Sequence, residues 1–166
     1  AAAYAQRHRH NHLVQVLNFA IGREAGKIEL QLAGTLTSAS RDTLEVYESL
    51  DWARPWLTNT RISVEVRTLD SVLEASVVPC HFELLVVDVE GLELAVFDGF
   101  DLSRWQPKMM IVELSDVHPD FQHQGKLIAD NAALRSRITG SGYEEIYRDK
   151  INTIFINKIY NKNIVL

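Results

Sequence analysis

The hydrophobic pattern along this chain changes character as it runs. Lys27-Ile28-Glu29-Leu30-Gln31-Leu32 and Arg61-Ile62-Ser63-Val64-Glu65-Val66-Arg67 alternate polar and apolar residues, the pattern of strands with one wet face. The two segments suit each other as partners in a ribbon. Leu84–Val89 and Lys108–Leu114 are instead near-continuous apolar runs. Such runs are what a parallel sheet covered on both faces requires. Leu13–Ile21 reads as a further strand. Helical spacing is expected over residues 1 to about 10, around Thr43–Leu50, in a turn over Thr68–Leu73, in the stripe Leu92, Ala95 and Val96, and in the series Leu127, Ile128, Leu134 and Ile138. Asp98-Gly99 and Gly140 provide stops. Tyr143–Arg148 and Asn152–Lys158 read as a hairpin turning near Asp149. Parallel strands need crossovers, and the helices supply them. The predicted class is α/β, as one domain over residues 1–166.

Composition narrows the partners. A formal charge of -5 argues against a general nucleic-acid or membrane-surface binder. No apolar run approaches the ~18 residues that span a bilayer. The single Cys80 forms no intrachain disulfide, so a reducing, cytoplasmic setting is the expectation, with Cys80 itself buried beside a strand. The opening Ala1-Ala2-Ala3-Tyr4-Ala5 reads as the middle of a helix, as though a segment had been cut off upstream.

Candidate chemistry gathers where the apolar runs stop. Leu84–Val87 leads into Asp88-Val89-Glu90-Gly91, and the following run ends at Glu113. Ligands of parallel sheets sit beyond the carboxyl ends of the strands. Asp88 and Glu90 share a face, and Glu113 ends the neighbouring strand. Clustered carboxylates raise one another's pKa, which suits a base near neutrality. Glu93 either joins them as a substrate contact or serves the helix start, where negative charge is favourable. His118, beside Asp116 in the next loop, is either a general base or a solvated loop residue. Spacing alone specifies no metal site, although Asp88, Glu113 and His118 include the necessary oxygen donors. His8 and His12 lack a third ligand with recognisable spacing. Trp52 and Trp56 flank Pro55 in the irregular 34–60 segment, as a substrate lid or as staples onto the core. Ser38 and Ser40 read as ordinary loop residues unless a lid closes over them.

Three segments together carry a resemblance: Val66-Arg67-Thr68-Leu69-Asp70-Ser71-Val72-Leu73, Leu85 to Gly99 with its Asp88-Val89-Glu90-Gly91-Leu92-Glu93 core, and Pro107 to Glu113. They resemble the FkbM family of S-adenosylmethionine-dependent methyltransferases. Upstream, Asn11, the Val14–Val16 strand and Ala20-Ile21-Gly22 fit the family's segment before its small ribbon. The resemblance implies a Rossmann-like class I methyltransferase sheet, mostly parallel, with a C-terminal antiparallel hairpin. It implies methyl transfer from S-adenosylmethionine to a hydroxyl of a small molecule or glycan, such as a sugar or secondary metabolite. Asp88 and Glu90 would line the cleft, with Glu113 and His118 as further catalytic candidates. Phe19, Ala20 and Ile21 would approach the adenine of the cofactor, with Asp88 beside it.

Two departures accompany the resemblance. Val87 stands where the family often has Lys. No G-x-G precedes a helix, so the family's first strand with its Gly-rich loop, and the second strand with its ribose-binding acid, are missing from this sequence. The rival expectation is therefore a non-catalytic fragment or interaction module. Strands without their neighbours would also expose sheet edges, through which a homo-oligomer is expected.

Overall fold

A computed structural model describes residues 2–161 as helices packed on two small sheets. Helix α1 (Ala2–His8) opens the chain and closes at Asn11, whose backbone N–H donates to His8. In the first sheet, β1 (Ala20–Ile21) runs parallel to β3 (Arg61–Arg67), and β2 (Gly26–Gln31) runs antiparallel on its other side. The alternating segments thus form the expected ribbon.

The second sheet has the order β4-β5-β7-β6. Strand β4 (Leu84–Val87) is parallel to β5 (Met109–Glu113). The antiparallel strand β7 (Asn152–Asn157) follows, and β6 (Tyr143–Arg148) closes the sheet as the other arm of the expected hairpin. The crossover between β4 and β5 carries α4 (Glu93–Asp98) and α5 (Leu102–Trp105); α6 (Gly125–Gly140) joins β5 to β6. Helix α3 (Leu69–Ala75) follows β3, and α7 (Lys158–Asn161) follows β7.

Burial explains the layering. Val96, Phe97, Phe100 and Trp105 from the crossover, and Leu134 and Ile138 from α6, pack with Met110, Val112 and Phe155 of the sheet. A second cluster joins Val46 and Tyr47 of α2 (Arg41–Ser49) to Phe121 and Leu127. That cluster seats the otherwise irregular 34–60 segment over the ends of β4 and β5.

Four expectations need correction. The Leu13–Ile21 strand contracts to Ala20–Ile21; Leu13 is 82% exposed, and no strand among the described residues pairs with residues 13–19. An apolar run becomes a strand only where a neighbour accepts its backbone bonds. The sheets are also less parallel than expected, with two parallel and three antiparallel pairings among the described residues. The ribbon and the hairpin supply the excess. Cys80 is exposed rather than buried, because the link from α3 to β4 turns at the surface through positive φ at Val77 and His81. Finally, α5 was not foreseen; Asp101 caps it by accepting from the N–H groups of Ser103 and Arg104. One edge of β4 bonds to β5 and the other has no strand among the described residues, leaving Leu84 and Val86 about half exposed.

The Thr68-Leu69-Asp70 segment has a structural role. Thr68 caps α3 by accepting from Ser71 N–H. Asp70 accepts from Asp101 N–H at 2.9 Å and from the buried Trp105 indole at 2.8 Å, tying α3 to α5. Asp70→Ala leaves the indole N–H unpaired. We expect it to destabilise the fold by about 1–3 kcal/mol in urea unfolding. An unchanged midpoint contradicts this role.

Candidate active site

The site begins where β4 ends. Apolar packing carries the chain to Val87, after which it must turn sharply into α4. Glu93, at the start of that helix, is only 2% exposed. Its Oε1 accepts from the N–H groups of Val89 and Gly91, at 3.1 and 3.2 Å. The turn therefore closes on its own downstream carboxylate. Of the two readings open for Glu93, substrate contact or service at the helix start, the geometry favours the second: it turns inward as the clamp of the turn.

The turn requires unusual backbone. Glu90 has a φ of 54° and Gly91 a φ of 91°. The left-handed region is costly for Glu and free for Gly. Gly91 also lies against α2, where a Cβ would come within 2.1 Å of Thr43 Oγ1. Helix α2 is held there by several contacts. The Ser38 hydroxyl donates to the Glu90 carbonyl at 2.7 Å, and Ser40 caps α2 by accepting from Thr43 N–H. The Tyr47 hydroxyl donates to Glu90 Oε2. Ser38 and Ser40 are thus buried contacts of the turn rather than ordinary loop residues.

Oxygen atoms of Asp88, Glu90 and Glu113 lie within 4.8 Å of one another. Asp88 is exposed, and the other two are partly buried. Burial raises the Glu113 pKa well above the carboxylate range, helped by its hydrogen bond with Asp88 and by the charges of Glu93 and Glu90. Burial likewise raises Glu90, against the Tyr47 hydrogen bond and with Asp88 adding to the rise. Burial raises Glu93 to about 6, although its backbone hydrogen bonds oppose the shift. Burial and the bond to Glu90 raise Tyr47 as well, so it remains a donor. At neutral pH the cluster therefore retains protons on carboxyl groups, while Asp88 faces solvent.

A model of the methyltransferase FkbM domain matches residues 2–145. The chain belongs to the FkbM methyltransferase family. No characterised protein and no solved structure matches it significantly. The match covers the first sheet, strands β4 and β5 of the second and the whole carboxylate cluster of this FkbM domain, and it ends at the start of β6.

The remaining candidates of the FkbM domain fall into place unevenly. His118 stands apart from the carboxylate group. Its Nδ1 accepts from Asp120 N–H at 3.2 Å, and its ring meets Phe121 edge-on. Asp116, beside it, is gripped by Arg135 and Arg148 at 2.9 and 2.7 Å, which fixes the loop after β5. Trp52 and Trp56 are both more than half exposed; only Trp52 reaches the site region, edge-on to Tyr47. Phe19 lies under the Arg67 guanidinium, and Ala20 and Ile21 pair with β3, in the other sheet from Asp88. Ile21 lines an apolar cavity of about 250 Å³ with Val66, Leu92 and Ala95. Sequence reasoning missed Tyr47 and Asn131. Tyr47 is 43 positions from its partner, and nothing local marks it.

Two outcomes test this geometry. Ala at position 91 meets both a positive φ and Thr43, so Gly91→Ala should cost about 1–3 kcal/mol and loosen α2 in hydrogen exchange. Wild-type protection of α2 in that variant contradicts the packing. Glu93 and Glu113 hold protons more tightly folded than unfolded, so folding takes up protons between the ordinary Glu value and the raised ones. Stability is then greatest at the acid end of that window and falls as pH rises through the raised values. Melting temperatures measured from about pH 5 to about pH 8 should decline, and Glu113→Gln should flatten the decline. A rise over that range, with no effect of Glu113→Gln, contradicts the assignment.

Proposed function

We propose that this chain is the catalytic part of an O-methyltransferase that uses S-adenosylmethionine and acts on a hydroxyl of a sugar or secondary metabolite. The observation behind this reading is the convergence of Asp88, Glu90 and Glu113 at the carboxyl ends of two adjacent parallel strands. It rests equally on the family to which the chain belongs. Residues 2–161 are read as one domain built on a Rossmann-like methyltransferase sheet, of which β4-β5-β7-β6 is a part.

The apolar cavity beside Ile21 fits the adenine face of the cofactor, with Phe19 and Ala20 leading into it. S-adenosylmethionine supplies an electrophilic methyl group when bound. The residues of this chain handle the acceptor. Asp88, the exposed member of the cluster, takes the proton of the acceptor hydroxyl on its carboxylate. Glu113 keeps its own proton and hydrogen-bonds Asp88, which orients the base. Tyr47 holds Glu90 through its hydroxyl and shields the inner side of the cluster from water. Trp52 offers an exposed ring at the rim on which a sugar face can stack. His118 does not serve as the base in this reading, because its Nδ1 is committed to Asp120. The setting is read as reducing and cytoplasmic, in keeping with the exposed, unpaired Cys80. No helix among the described residues is long and apolar enough to cross a membrane.

Asp88→Asn should lower methyl transfer by about 10²–10⁴-fold while leaving the melting temperature nearly unchanged. Normal turnover, or unfolding of the variant, contradicts the assignment. The open edge of β4 supports a second reading, as an interaction module that pairs edge to edge with another copy. Light scattering over a range of concentrations separates the two: a mass that stays at one chain rules out pairing.

A further inference from the structure

The arginines of this protein find carboxylates. From Arg23 to Arg148, each guanidinium lies within ion-pair distance of an Asp or Glu, with the exceptions of Arg41 and Arg61. Both exceptions line one cavity of about 350 Å³ between the polar face of the β2–β3 ribbon and α2. Small-molecule sites occupy about 300–1,000 Å³, so the cavity is large enough for a ligand.

Local pattern builds its walls. Gln31 and Arg61 are partners in the ribbon register, and Glu29, two residues before Gln31, shares their face. Arg41, Leu44, Glu45 and Glu48 follow helical spacing along one side of α2, opposite the buried Thr43, Val46 and Tyr47. Each wall therefore carries both signs of charge: Arg61 and Glu29 on the ribbon, Arg41, Glu45 and Glu48 on the helix. None of these groups forms an ion pair among the described residues. Opposite charges around one cavity attract each other, and here two separately anchored elements hold them apart. The space between them suits a ligand that offers partners to both kinds of group.

We infer that this cavity binds a sugar acid, a hexuronate-type unit of a glycan. The carboxylate of the sugar goes to Arg41 and Arg61, whose planar forks match it with paired hydrogen bonds. The sugar hydroxyls donate to Glu29, Glu45 and Glu48, and the Gln31 amide both donates and accepts. A neutral sugar leaves the arginines without partners. A phosphorylated sugar brings nearly two charges toward the glutamates, where a carboxylate brings one. Ser38 borders the cavity, and its hydroxyl donates to the Glu90 carbonyl, so the sugar lies one segment away from the turn that carries Asp88. The inference names the class of acceptor, and in that respect it rests on the methyl-transfer reading.

The test reads binding alone, so it can fail while methyl transfer stands, and the reverse. Glucuronate is titrated into the isotope-labelled chain and followed by amide chemical shifts. We expect saturable shifts at residues 38–41 and at Arg61, with a dissociation constant of about 1 mM or below. Glucose, which lacks the carboxylate, and acetate, which lacks the hydroxyls, should each bind at least about tenfold more weakly. Arg41→Gln and Arg61→Gln should each weaken glucuronate by about tenfold or more. Both arginines are exposed, so the variants should remain folded, which circular dichroism checks. The inference is overturned by no saturation up to about 10 mM glucuronate, or by equal affinity for glucose or acetate. Tighter binding of glucose 6-phosphate, or wild-type affinity in either variant, equally overturns it.

Discussion

Glu93 accepting the backbone N–H groups of Val89 and Gly91 is the contact from which the site is built. A buried carboxylate is costly unless hydrogen-bonded, and here the bonds come from the turn that the carboxylate shapes. The closed turn places Glu90 in the left-handed region and presents Gly91 to α2. Helix α2 seats on that surface through Ser38, Ser40 and Thr43, and it brings Tyr47 to Glu90. Strand β5, in register with β4, then delivers Glu113 to the same place. One local hydrogen-bond arrangement therefore governs three segments that are distant in sequence.

The electrostatics follow from that packing. Three carboxylates this close do not all ionise at neutral pH, because burial and mutual repulsion favour protons. Protonation of Glu113 leaves Asp88 as the solvent-facing group.

Much of this was legible in the sequence. The apolar runs ending at Asp88 and Glu113 marked adjacent parallel strands, and the alternating segments marked the ribbon. Asp88, Glu90 and Glu113 converge because strand ends are set by local pattern. Leu13–Val16 misled, since apolar residues make a strand only beside an available edge. Cys80 misled because residue type outweighed the turn chemistry around it. Tyr47 and Asn131 left no local trace: one reaches Glu90 from α2 and the other borders the space behind Glu90 and Glu113 from α6. Glu93 was visible as a residue at the head of a helix, but its inward direction depends on a turn that only the packed chain displays.

The most direct measurement is a carbon-13 NMR titration of the side-chain carboxyls, resolved residue by residue. The account predicts that Glu93 titrates near 6 and Glu113 higher still. Titration of both near the ordinary Glu value of about 4.3 would contradict it, because the turn would then not be buried and the carboxylates would not be gathered.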